Sequence, residues 1–110
     1  MSEQVRETRV FHLGDLLSVT TGILVSPRYM DGLCDILGYL LAAEPDLDRL
    51  QETMAVCRPY LLSQVPAISE VLTEDVSFES WRGWLDKQAG LYGEWQSVQR
   101  PWPGEIAPIS

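Results

Sequence analysis

The sequence predicts an α+β domain, mostly helical, with about four helices and a small two-stranded antiparallel pair joining the ends. Three observations lead there. Apolar residues recur at the i, i+3, i+4 spacing of a buried helix face in four separate stretches. Prolines, glycines and capping residues punctuate those stretches. A short segment at each end of the chain reads as a strand rather than a helix.

Taken in order, Val5 to Leu13 begins polar and ends in Val10-Phe11, as an edge strand does. Leu13, Leu16, Leu17 and Thr20 form the buried face of a first helix, and Gly22 suits its end. Ser26-Pro27 predicts a restart, with Ser26 as N-cap and Pro27 at the first helical position. Met30, Leu33, Cys34, Leu37, Leu40 and Leu41 are the apolar stripe of that second helix. Pro45 marks the next boundary, with Glu44, Asp46 and Asp48 beside the positive end of a third helix dipole. Leu47, Leu50, Met54, Cys57 and Leu61 are its expected stripe, and Pro59 is expected to break or kink it. Pro66 breaks the chain again, before a short helix over Ile68 to Leu72. Ser77 is the expected cap of a fourth helix with the stripe Phe78, Trp81, Leu85 and Tyr92, ended by Gly93. Glu94 to Arg100 reads as a strand able to pair with the first. Residues 1–100 are thus one compact domain, and residues 101–110, with their prolines and glycine, an irregular tail.

The charge balance narrows the function classes. Sixteen acidic residues face eight basic ones, a formal charge of −8. All of that excess falls between residues 31 and 80, since both ends balance to zero. Such a surface repels nucleic acid and anionic membranes and attracts basic partners. The polar start, Met1 to Arg9, does not read as a signal peptide, and the longest apolar run, Tyr39 to Ala43, is too short to span a bilayer. Cytoplasmic placement, in a bacterial host, is the expectation. Cys34 and Cys57 are then reduced thiols rather than a disulfide.

The segment Phe11-His12-Leu13-Gly14-Asp15-Leu16-Leu17-Ser18-Val19-Thr20-Thr21-Gly22, with Ser26-Pro27 and Asp31-Gly32-Leu33-Cys34-Asp35 after it, resembles an uncharacterised family of small proteins of phages and prophages. The stretch Cys57-Arg58-Pro59-Tyr60-Leu61-Leu62 and the region from Trp84 to Glu94 are similar to it too. This sequence departs from the family pattern at Ala43 to Thr53, which is acidic and lacks histidine. The resemblance implies a phage setting, in which small acidic proteins often disarm host defences. It implies no particular activity.

Chemistry is scarce in the residues themselves. His12 is the one histidine, and both cysteines fall on apolar stripes, where a thiol packs as a small hydrophobe. Cys and His together are too few for a structural zinc site, so no cofactor and no metal is expected, and the chain reads as a non-enzyme. Asp31 with Asp35, approached by Asp46 and Asp48, could in principle hold magnesium, but a solvated acidic face is the plainer reading. Leu16 to Leu37 can be drawn as a helix-turn-helix, yet its recognition helix would carry Asp31 and Asp35 beside Arg28, which disfavours phosphate contacts. Trp81 belongs to a buried stripe, while Trp84 and Trp102 are candidate exposed anchors.

The acidic segment is the main functional signal. Carboxylates at i and i+4 of a helix lie about 6 Å apart along its axis, close to two steps of a DNA strand at roughly 6.8 Å. Asp31/Asp35 and Asp48/Glu52 have that spacing, as do Glu70/Glu74 and Asp75/Glu79 across expected helix ends. With Glu44 and Asp46 these form the candidate partner-binding set. The leading expectation is an inhibitor of a host nucleic-acid-binding defence complex, in the style of an anti-CRISPR protein, acting as a DNA mimic on a basic protein without touching nucleic acid or membrane. The alternative is a non-inhibitory phage adaptor or a transcription-linked binding module.

Overall fold

The computed structural model of the chain describes residues 7–71, 73, 74, 76, 77, 79–102 and 104–106. It has strand β1 (Thr8–His12), helices α1 (Leu13–Thr21), α2 (Met30–Leu41), α3 (Leu50–Gln64) and α4 (Trp81–Tyr92), and strand β2 (Trp95–Gln99), with 3-10 turns over Leu47–Arg49 and Pro66–Glu70. β1 and β2 pair antiparallel, from Thr8 opposite Gln99 to His12 opposite Trp95, so the chain ends are joined as the sequence predicts. The architecture is α+β and mostly helical.

β1 passes directly into α1. His12 is the N-cap, its Nδ1 accepting the Gly14 amide at 2.9 Å. Leu13, Leu16, Leu17 and Val19 of α1 are buried at the centre of the molecule, against α2 and α3. Gly22 closes α1 at φ 76°, a left-handed conformation that glycine adopts without a Cβ penalty. Phe11 and Val98 seal the sheet onto the same core. The Tyr39 hydroxyl of α2 lies 2.9 Å from the Glu7 carbonyl and 2.8 Å from that of Val98. The Tyr60 hydroxyl of α3 reaches the Gln99 carbonyl. The small sheet is therefore held by two helices as well as by its own ladder, which matters because an isolated strand pair is marginal in water.

Several sequence expectations change. Ser26-Pro27 does not start α2. Ser26 to Tyr29 forms a turn closed by Tyr29 N to Ser26 O at 2.9 Å, and the helix begins at Met30. Ser26 is diverted because its hydroxyl is engaged by Asp15 in the interior. Met30 is exposed and Cys34 half-buried, while Ile36 and Tyr39 join Leu33, Leu37 and Leu40 inside, a small rotation of the expected stripe. Leu47 turns outward with 62% of its surface exposed, because it sits in the 3-10 turn ahead of α3.

Pro59 neither breaks nor ends α3, which runs from Leu50 to Gln64. The carbonyl deprived of a donor is that of Ala55, and Ala55 and Pro59 both lie on the exposed face, where water can take the place of the missing N–H. The short helix expected from Ile68 is instead the 3-10 turn Pro66–Glu70, with Ile68 buried; Leu72 lies outside the described residues. Ser77 and Ser80 cap each other in a turn, and α4 starts one residue later, at Trp81. α4 buries Trp84, Leu85 and Gln88, with Trp81 only half-buried and Phe78 outside the described residues. Trp84 is thus part of the core and not an exposed anchor.

Candidate functional site

The acidic residues separate into groups with different surroundings. Asp35, on α2, is no free carboxylate. Its Oδ2 accepts from Arg9 at 2.8 Å and from Arg28 at 3.1 Å. Partial burial alone would raise its pKa, but the two guanidinium hydrogen bonds together hold it below the usual value. Asp31, one turn earlier, is exposed. The expected Asp31/Asp35 pair therefore presents one uncompensated carboxylate rather than two, which removes half of that track.

Glu44, Asp46, Asp48 and Glu52 are all exposed, on the shoulder that joins α2 to α3. Asp46 caps the 3-10 turn by accepting the Asp48 amide at 3.0 Å. Arg49 donates to Glu52 through Nε at 3.0 Å and Nη2 at 2.6 Å. Asp48 lies in the 3-10 turn and Glu52 in the first turn of α3, so the expected pair does not share one helix. Glu70 and Glu74 do not share a helix, since Glu70 ends a 3-10 turn and Glu74 lies in the following loop. Glu79 is exposed just ahead of α4, and its expected partner Asp75 lies outside the described residues. Among the described residues no three His, Cys, Asp or Glu side chains come together as a metal site would require, so Asp46 and Asp48 do not complete one with Asp31 and Asp35.

The structure adds a feature absent from the sequence reading. Asp15, in the first turn of α1, is fully buried. Its Oδ1 accepts the Ser26 hydroxyl at 2.5 Å and its Oδ2 accepts from Arg28 at 2.9 Å. Arg28 continues to Asp35, and Asp35 to Arg9, so one chain of alternating charge links α1, the α1–α2 connection, α2 and β1. The hydrogen bonds that Arg28 donates to Asp15 and then to Asp35 raise its pKa. Ser18 works beside this chain, its hydroxyl donating to Gly14 O at 2.7 Å and accepting the Val25 amide at 3.0 Å. Gly14 and Gly32 are needed for close approach. A Cβ on Gly14 would meet Val25 O at 2.6 Å, and one on Gly32 would overlap Ser26 and Asp15. The motif Leu13-Gly14-Asp15 … Ser18 … Gly22 … Ser26-Pro27 … Gly32 is in this way a buried polar knot that shapes the connection between two helices. The available signal was an aspartate set directly against the leucines of the first stripe, a costly place for a charge without a partner.

The helix-turn-helix drawing does not survive. α1 ends at Thr21 and α2 begins at Met30, a longer connection than the tight turn of that motif, and Arg28 lies outside α2 with its guanidinium engaged by two aspartates. Cys57 is buried, and desolvation pushes its thiol up to about 11. His12 faces Glu94 at 3.4 Å and Trp95 at 5.2 Å between ring centroids, not a cysteine. Trp95 and Trp102 are 62% and 43% exposed and carry the aromatic surface that the sequence assigned in part to Trp84. No described helix is long and apolar enough to cross a membrane.

A family described as a domain of unknown function (DUF7736) matches residues 11–71. That stretch holds β1 from Phe11 onward, the knot and α1 to α3, but not α4 or β2. No curated protein and no solved structure matches.

Proposed function

The chain belongs to the DUF7736 family of unknown function, matched over more than half its length, and we propose that it acts by binding a basic protein rather than by catalysis. The observation that carries this reading is the α2–α3 shoulder, where Glu44, Asp46, Asp48 and Glu52 are exposed within nine residues and Arg49 is the single basic residue among them. The partner is a host nucleic-acid-binding complex, and the chain, encoded by a phage or prophage, inhibits it in anti-CRISPR style by occupying a Lys/Arg groove in place of DNA. The phage setting rests on the motif resemblance, and the mimicry on the exposed carboxylates of the shoulder. Asp31 and Glu70 lie outside this shoulder, and Asp35 is already neutralised, so they are peripheral to the contact.

Capture of the partner from a bacterial host lysate, followed by charge reversal, tests the proposal. Glu44→Lys with Asp46→Lys, and Asp48→Lys with Glu52→Lys, are expected to weaken the complex, most at low salt where surface charge is least screened. Duplex DNA is expected to compete. Asp86→Lys on α4 and Glu105→Lys near the C-terminus are controls, and equal losses from controls and shoulder reversals would reduce the site to general charge attraction. A second reading, a non-inhibitory adaptor, is favoured by the exposure of Trp95 and Trp102. Loss of the complex on Trp95→Ala or Trp102→Ala, with the reversals silent, would select it.

A further inference from the structure

A groove of about 640 Å³ opens between β1, α2, the α2–α3 connection and the end of β2. Its size falls in the range of small-molecule sites. One wall is built from two arginines. Val98 lies opposite Arg9 in the ladder, so Arg100, two residues on, projects from the same face as a diagonal neighbour of Arg9. Both guanidinium groups lie over the ring of buried Tyr39, with their carbons 5.9 Å and 4.8 Å from its centroid. Arg9 reaches Asp35 through Nη2 and Arg100 reaches Glu7 through Nη1. The Arg100 Nε is buried and has no acceptor among the described residues. The α2–α3 connection lines the groove with apolar Ala43, Pro45 and exposed Leu47 together with Glu44, and Gly38 lines it from α2.

We propose that this groove binds a small organic anion, a carboxylate or a phosphate monoester, whose oxygens bridge Arg9 and Arg100 and whose apolar body lies against Pro45 and Leu47. The chain as a whole carries −8 and repels anions, so binding localises to the paired arginines. The Glu44 carboxylate, also at the groove, opposes the ligand and limits its affinity. Arg9 is shared with the charge chain through Asp35, so occupancy of the groove bears directly on the packing of β1 against α2. The groove shares Glu44 with the acidic shoulder, but the anion site does not rest on the shoulder's partner.

Benzoate and phenyl phosphate are the probes, with benzylamine as a cation of similar body and inorganic phosphate as an anion without one. In a heteronuclear NMR titration either aromatic anion is expected to shift the Arg9 and Arg100 Nε–H signals and the Gly38 and Ala43 amides together, saturating with a dissociation constant below about 1 mM. Which of the two binds more tightly identifies the headgroup. Arg100→Gln is expected to weaken binding about tenfold, a loss of one hydrogen-bonded charge contact. Gly38→Leu should fill the groove while leaving both arginines in place in the sequence, since the backbone has room for a Cβ there, which meets only Ala43 O, at 3.6 Å. It also keeps the test decisive if Arg100→Gln fails to fold. Glu44→Gln should tighten binding. Arg58→Gln on α3, which removes the same charge elsewhere, should leave it unchanged. No saturable shift by about 10 mM, an equal loss with Arg58→Gln, or tighter binding of benzylamine than of benzoate would overturn the proposal. Inorganic phosphate binding as tightly as phenyl phosphate would overturn the role of the apolar wall.

Discussion

The Ser26 hydroxyl donates to Oδ1 of Asp15 at 2.5 Å, and both side chains are completely enclosed. This contact fixes the path of the chain between α1 and α2. Ser26 also accepts the Arg28 amide at 3.2 Å, which aims Arg28 at the second oxygen of the same carboxylate. Asp15→Ala would leave the hydroxyl without an acceptor and an arginine without its buried partner. It is expected to lower unfolding stability by about 2–3 kcal/mol in urea, since Arg28 is half-exposed and recovers part of its hydration. Asp15→Asn, which retains an acceptor for Ser26, should lose less. Equal stability of Asp15→Ala and the parent would mean the knot is dispensable.

Gly32 and Gly38 lie in the same helix and should respond oppositely to alanine. A Cβ at position 32 overlaps Ser26 and Asp15, so Gly32→Ala is expected to destabilise by about 1–3 kcal/mol despite the better helix propensity of alanine. At position 38 nothing crowds the Cβ, and Gly38→Ala should stabilise by up to about 1 kcal/mol. Thermal melts of both variants measure this, and a matching sign would contradict the packing described for Gly32.

The pH dependence of stability should carry the signature of Asp35. Its carboxyl titrates lower in the folded chain than in the unfolded one, held down by Arg9 and Arg28 against the effect of burial. The folded state therefore binds fewer protons in that window, and the stabilisation is complete above the unfolded value, near 4. It is lost as the pH falls from there through the lower folded value. Asp35→Asn should be less stable than the parent at neutral pH, and the two curves should converge in acid. Curves that stay parallel down to about pH 2 would show that Asp35 contributes no such linkage.

The two thiols should differ in reactivity. Cys57 is fully buried, with its thiol pushed up to about 11, whereas Cys34 is half-buried at the groove. Under native conditions near neutral pH, iodoacetamide should modify Cys34 and spare Cys57, as read by mass spectrometry of the digested protein. Replacement of both by alanine should weaken packing without abolishing partner binding. Rapid labelling of Cys57 in the folded protein would place it outside the core.

Removal of the tryptophans should separate core from surface. Trp84→Ala deletes a side chain packed in the core and is expected to cost about 3–5 kcal/mol. Trp95→Ala should change stability by about 1 kcal/mol or less, because that ring is mostly exposed and meets His12 edge-on. Chemical denaturation of the two variants distinguishes them, and comparable losses would contradict the burial difference.

Period and punctuation alone determined much of this protein. The 3.6-residue spacing of Leu13, Leu16 and Leu17 and of Leu33, Leu37 and Leu40, with Gly22 at a helix end, placed α1 and α2, and the alternation near Phe11 and Val98 placed the paired strands. These are local properties, set by which side of a segment meets the core. The excess of acid was equally legible, since it is a sum over residues. Tertiary structure decided what each polar residue does. Ser26 looks like a helix cap until Asp15, eleven positions away, claims its hydroxyl. Asp35 looks like half of an acidic track until Arg9 and Arg28 neutralise it from two other elements. Leu47 and Trp84 exchange their expected places: Leu47 sits in a 3-10 turn ahead of α3, and Trp84 lies with Leu85 and Gln88 on the buried face of α4. A hydrogen bond or an ion pair forms with whatever the fold brings within about 3 Å, and in this chain those partners are distant in sequence.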